Sequence, residues 1–116
     1  MATSNSDLAG KLDIVCRRGD TFYRSLTFTI NGNPEDFTGS AFKMQVRLSN
    51  TLIILDFTSS NITVTGNTIE LYKSNDNMKS VKPGKYQYDL EQTYADGTVT
   101  TRLAGSFTIN PDQTHE

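Results

Sequence analysis

The side chains that could do chemistry in this sequence of 116 residues are few and scattered. Asp89 and Glu91 stand two apart, so an extended strand carries both carboxylates on one face, where two such groups can divide acid and base roles. The same spacing describes a solvated outer strand face, the commonest place for charge in an antiparallel sheet. Nucleophilic catalysis needs a base beside its nucleophile. The single histidine, His115, is penultimate, in a segment too polar to be held down. Cys16 is the only cysteine, so no intrachain disulfide can form, and one thiol with one imidazole makes no zinc set. The sequence therefore predicts no enzyme, with no catalytic residue, no metal, no cofactor and no small-molecule substrate.

Short motifs lead no further toward a reaction. Arg18-Gly19-Asp20 matches an integrin-binding tripeptide, yet it reads as a turn in which Gly19 supplies backbone freedom and Asp20 bonds local amides. Asn61-Ile62-Thr63 fits a glycosylation acceptor in a chain where composition alone yields such matches. Gly32, Gly39, Gly66, Gly84 and Gly97 each sit singly at turns, whereas a phosphate loop needs them clustered before a helix. Tyr23, Tyr72 and Tyr94 are the outward aromatic candidates for sugar contact, without any tryptophan to support them. Tyr94, at the Tyr94-Ala95-Asp96-Gly97 turn, either anchors its loop or meets a partner.

Composition narrows the classes. Eleven basic and 13 acidic residues give net −2, which leaves no electrostatic footprint for nucleic acid or an anionic membrane. The first seven residues lack the basic start and apolar middle of a signal peptide, and no run approaches the roughly 20 apolar residues of a membrane span. The expectation is a chain made in the cytoplasm. Apolar residues are 35% of the chain, which disfavours long buried helices.

The elements that must position these groups are strands. Polar, small residues 1–10 predict a flexible leader, residues 11–110 one domain, and residues 111–116 a flexible tail after Pro111. Inside the domain the apolar period is two. Residues 22–30 place Phe22, Leu26, Phe28 and Ile30 on one side, broken only by Arg24. Phe42, Met44, Val46 and Leu48 alternate with Lys43, Gln45 and Arg47, so a one-residue slip would expose all four. The connection from Asn31 to Gly39 is longer than a tight hairpin and can carry the chain between sheets with Phe37 beneath it. Residues 62–65 and 68–72 flank Gly66-Asn67 as a hairpin, and Asp96-Gly97 joins residues 85–93 to a return strand that buries Val99, Leu103, Phe107 and Ile109. Residues 74–81 could hold one helical turn opened by Ser74. Tyr86 and Tyr88 suit the core, each phenol bonding at the rim as in a tyrosine corner. Gly105 falls mid-strand, where only a bulge or a close backbone approach calls for it. Seven to eight short strands with no covering helix must cover one another, which gives an all-β, immunoglobulin-like antiparallel β-sandwich.

Several blocks together resemble the immunoglobulin-like modules of tailed-bacteriophage tail and baseplate proteins, in particular the N-terminal domain of the upper baseplate protein family. They are Arg18-Gly19-Asp20-Thr21-Phe22, the turn from Asn31 to Gly39 with the following Phe42-Lys43-Met44-Gln45-Val46-Arg47, Pro83-Gly84-Lys85-Tyr86-Gln87-Tyr88-Asp89-Leu90, Asp96-Gly97, and Gly105-Ser106-Phe107-Thr108-Ile109. The sequence departs from that family in having no fibre or coiled-coil segment behind the sandwich, which implies a stand-alone module. The resemblance implies a phage or prophage structural protein of tail, neck or baseplate, destined for the virion. Its partners are then other virion proteins or further copies of itself. Contact points are expected where apolar residues fall on both sides of a strand, at Ile53, Ile54 and Leu55, together with Tyr94. The alternative is a carbohydrate- or cell-surface-binding β-sandwich with two or three exposed tyrosines.

Overall fold

The computed structural model describes residues 10–49 and 51–111. The expected flexible ends at residues 1–9 and 112–116, and His115 with them, lie outside the described residues. Gly10, assigned by composition to the leader, is instead paired with Leu103.

Strands β1 (Gly10–Lys11), β2 (Ile14–Arg17), β3 (Phe22–Thr27), β4 (Thr29–Ile30), β5 (Asn33–Pro34), β6 (Ala41–Ser49), β7 (Leu52–Phe57), β8 (Ile62–Thr65) and β9 (Thr68–Lys73) precede a single helical turn, α1 (Asn75–Lys79). The long strands β10 (Gly84–Thr93) and β11 (Val99–Asn110) follow. The larger sheet runs β1-β11-β10-β6-β7, with β2 also on β11, and the smaller runs β3-β9-β8. Eight of these strands have four or more residues, and their faces build the immunoglobulin-like sandwich expected from the period-two pattern. Pairing is antiparallel except that β1 and β2 both run parallel to β11.

The core lies where the two inner faces meet. Phe22 of β3 sits 5.6 Å from Phe57 and 5.4 Å from Phe107, ring centre to ring centre, and joins the sheets. Phe37 is buried under the inter-sheet connection, edge-on to both Phe28 and Phe42. That connection is tighter at its start than its length suggests. Asn31 and Gly32 both take positive φ, at 54° and 81°, and fold β4 on β5 as a two-residue hairpin. The strand therefore ends at Thr27, and Ile30 is exposed on the ribbon rather than in line with Phe22.

The remaining turns follow the residues that write them. Ser74 caps α1 by accepting a hydrogen bond from the Asn77 amide, while Met78 is fully buried beneath it. Tyr86 donates its hydroxyl to the Lys82 carbonyl at 2.7 Å, and Tyr88 donates to that of Leu12 at 2.6 Å. Both phenols thus bond at the rim. Burial raises the Tyr88 hydroxyl to about 12, so it remains a donor at any ordinary pH.

In two places the alternation breaks. Leu90 pairs with Leu103 but Glu91 with Thr101, so Arg102 is an extra residue in β11. The phase reverses there, which turns Val99 to solvent against the simple pattern and aims Arg102 toward the interior. Register also shifts twice between β6 and β7, around Arg47, and Leu48 is 59% exposed where alternation would bury it.

Candidate functional site

The two register shifts in β6 and β7 shape the most distinctive surface of the molecule. Val46 pairs with Leu55, Arg47 with Ile53 and Ser49 with Leu52, so Ile54 and Leu48 are each left without a partner across the ladder. Each shift bends and twists its strand. No residue of the smaller sheet lines this end of the larger one. The core consequently opens. A recess of about 400 Å³ lies between Leu48, Leu52 and Ile54 on one side and Ser80, Val81, Lys82 and Tyr86 on the other. Leu52 is exposed at its rim, Ile53 is exposed on the outer side of the strand opposite Arg47, and β7 is an edge strand, so a row of its backbone groups is unpaired.

The four expected contact residues do not share this surface. Ile53 is exposed and Ile54 half-buried, but Leu55 is only 6% exposed and belongs to the core, because it pairs with the inward Val46. Tyr94 is exposed at the far end of the same sheet. Thr93 pairs with Ala41 at one end of β6 and Ile53 with Arg47 six residues on, a separation of roughly 20 Å at about 3.4 Å per residue. At the turn, the Tyr94 amide donates to the Thr98 carbonyl and the Gly97 amide to the Tyr94 carbonyl, both at 2.8 Å. Tyr94 therefore closes its hairpin through its backbone while its ring faces solvent. The exposed aliphatic residues at the rim of the recess are instead Leu48 and Leu52, whose exposure depends on register shifts that leave no residue signature.

The chemically capable side chains are held in structural roles. Asp89 lies 3.5 Å from the Arg47 guanidinium on the outer face of the large sheet. The carboxyls of Asp13, Asp36 and Asp96 are all held below the ordinary value of 3.8 by short-range donors. The Ser106 amide is the main cause for Asp13, the Thr38 hydroxyl for Asp36 and the Thr98 amide for Asp96. Cys16 is half-buried against the core, and burial pushes its thiol to about 11. It is a poor nucleophile at neutral pH. Arg18-Gly19-Asp20 forms the turn between β2 and β3, with Gly19 at φ 88° and the Asp20 amide donating to the Arg17 carbonyl. Among the described residues no group of three or more His, Cys, Asp and Glu side chains comes together.

One buried polar network escaped the sequence. Arg102 donates from Nη1 to Gln92 Oε1 and from Nη2 to Glu35 Oε2, both at 2.5 Å, and Gln92 Nε2 donates to Ser40. Its guanidinium also lies 5.1 Å from the Phe28 ring centre. The network ties the inter-sheet connection to β10 and β11, and it exists because the extra residue in β11 reverses the direction of Arg102.

No family model matches the chain, and no curated protein matches it. Among solved structures, CopC from Methylosinus trichosporium OB3b is similar at 12% identity over 97% of this chain and 96% of that one, with a TM-score of 0.50. SGBP-B of the Bacteroides ovatus mixed-linkage glucan utilization locus, solved with a mixed-linkage heptasaccharide, aligns at 16% identity over 89% of this chain. This chain spans only 20% of that protein, and the TM-score is 0.47. At such identities the likeness to CopC is one of fold.

Proposed function

We propose that this chain is a non-enzymatic docking module of a phage or prophage particle, of the tail, neck or baseplate kind. It is made in the host cytoplasm and incorporated into the virion through protein–protein contact. The observation that carries the reading is the open end of the large sheet. There Leu48 and Leu52 are exposed at the rim of an apolar recess, and Ile53 is exposed on the outer side of the same edge strand. Aliphatic exposure of this kind is relieved by cover, while an unpaired edge accepts an extended segment from another chain. Support for the phage setting comes from the sequence blocks between Arg18 and Ile109, which resemble baseplate modules.

The test is direct. The gene should stand among capsid, tail-tube and tape-measure genes, and mass spectrometry of purified particles should detect the chain. The purified chain should bind the product of a flanking virion gene, and Ile53→Lys with Leu52→Lys should weaken that binding at least tenfold. A gene set apart from virion genes, together with a chain missing from the particles, overturns the proposal.

A further inference from the structure

The outer face of the small sheet carries a second, chemically different surface. Tyr23 of β3 and Tyr72 of β9 are directly opposite one another across the antiparallel ladder, and they are 51% and 48% exposed. Side chains so placed have β-carbons about 5 Å apart, so the two tyrosines share one face of the sheet without their rings touching. Tyr23 donates its hydroxyl to Glu70 Oε2 at 2.9 Å, which holds that ring toward β9. This bond also raises the Tyr23 hydroxyl above its ordinary value of 10.0, with Glu70 as the main cause. The Tyr72 hydroxyl has no partner among the described residues. Ser25, Thr27 and Thr68 extend the same face, the last two bonded hydroxyl to hydroxyl at 3.0 Å.

The charge on this face is specific. Glu70 is its carboxylate, and the neighbouring cations turn away from it. Arg24 donates to the Val15 carbonyl at 2.6 Å, and Lys73 lies over the inward Phe57 ring. A face with a carboxylate and no accompanying cation repels phosphate, sulfate and uronate groups. No large aliphatic side chain shares the outward positions of β3 and β9, so the two rings are the large apolar surfaces of these two strands' outer face. What it offers is two amphipathic rings edged by hydroxyls and one acceptor. A pyranose presents the complement, with apolar C–H faces that lie on rings and hydroxyls around the margin.

We infer that Tyr23 and Tyr72, with Glu70, form a binding platform for a neutral oligosaccharide. The site is separate from the open end of the large sheet and independent of the docking role. The two rings stack on successive or neighbouring sugar units, the free Tyr72 hydroxyl and the second Glu70 oxygen bond sugar hydroxyls, and the exposed sheet face leaves room for a chain that continues past both ends.

Native gels cast with hydroxyethylcellulose, laminarin, soluble starch, galactomannan or polygalacturonate test this directly. At least one neutral polysaccharide should retard the full chain, and polygalacturonate should not. Tyr23→Ala and Tyr72→Ala should each weaken retardation at least tenfold, while Ile53→Lys leaves it unchanged. In amide NMR spectra of the unaltered chain, the retarding glycan should shift residues 23, 25, 70 and 72, a readout that does not depend on any variant folding. The platform is overturned if no neutral polysaccharide retards the chain, if the Tyr23→Ala/Tyr72→Ala chain is retarded as before, or if the NMR shifts fall elsewhere.

Discussion

The carbonyl group of Leu12 occupies the space that a side chain at residue 105 would need. A β-carbon on Gly105 would lie 3.0 Å from the Leu12 carbonyl carbon, and nearer still to its oxygen. That oxygen also accepts the Tyr88 hydroxyl, and Tyr88 is the residue opposite Gly105 on β10. The chain between β1 and β2 thus crosses β11 at the one residue able to admit it, anchored by the Ser106 amide on Asp13 Oδ1. Gly105→Ala should destabilise the domain by about 1–3 kcal/mol, because rigid backbone must move. Tyr88→Phe should cost about 1 kcal/mol, the usual worth of such a bond. Urea denaturation monitored by circular dichroism measures both, and an unchanged midpoint for Gly105→Ala would show that the crossing is not packed as described.

Arg102 and Glu35 form the most buried ion pair among the described residues, and the Gln92 amide completes the guanidinium's bonds. Removing one partner leaves the other charge stranded in a poorly solvated place. Arg102→Met should therefore cost about 3 kcal/mol, and the Arg102→Met/Glu35→Met double variant should cost less than Arg102→Met alone. A double-mutant cycle in urea reads the coupling. Equal costs for the single and double variants would mean that the pair is solvated and weak.

These relationships show where sequence reading stops. The hairpins at Gly66-Asn67 and Asp96-Gly97, the capping Ser74 and the rim-bonded tyrosines were all legible, since each depends on neighbours within a few residues. Phe42, Met44 and Val46 were legible as core for the same reason, whereas Leu48 was not. A register shift is a relation between two strands, and no residue in β6 announces it. The extra residue at Arg102 is of the same kind, and it hid both the buried network and the exposure of Val99. The gap between Ile53 and Tyr94 follows from antiparallel pairing along β6, which separates residues that a linear pattern can only group by type. The parallel placement of β1 and β2 along β11 depends on contacts some 90 residues apart, and only Gly105 hinted at it.

Acid should loosen the turns before the core. Asp13, Asp36 and Asp96 have folded values below 3.8, since their ionised forms accept bonds from Ser106, Thr38 and Thr98. A depressed carboxyl contributes stability that is complete above its unfolded value and disappears as pH falls through the folded one. The urea midpoint should hold from neutrality to about pH 5 and then decline below about pH 4. Replacing all three with Asn should flatten that decline. An equally steep acid limb in the triple variant would assign it to other groups.

Thiol reactivity should report burial at Cys16. With its pKa pushed to about 11 from an ordinary 9.0, the folded chain carries about 100-fold less thiolate at pH 8 than the unfolded one. Iodoacetamide should label the native protein at least that much more slowly than the protein in urea, with a rate that keeps climbing beyond pH 10. As the chain has one cysteine, mass spectrometry gives the rate without ambiguity. Native labelling as fast as in urea would place the sulfur in water.

Strand β7 passes from buried core to exposed surface within a few residues, and substitution should divide the two cleanly. Leu55 fills space between the sheets opposite Val46, so Leu55→Ala removes buried methyl groups and leaves a cavity, at a cost of about 2–5 kcal/mol. Ile53→Ser and Leu52→Ser, on exposed positions of the same strand, should change stability by no more than about 0.5 kcal/mol each. If the exposed pair serves contact, the serine variants should remain as soluble as the original chain or more so, because cover is no longer needed where the surface is polar. Thermal unfolding of the three variants decides the matter. A large loss from Ile53→Ser would show that Ile53 packs inward and that the open end of the sheet is closed in solution, which would remove the observation on which the docking role stands.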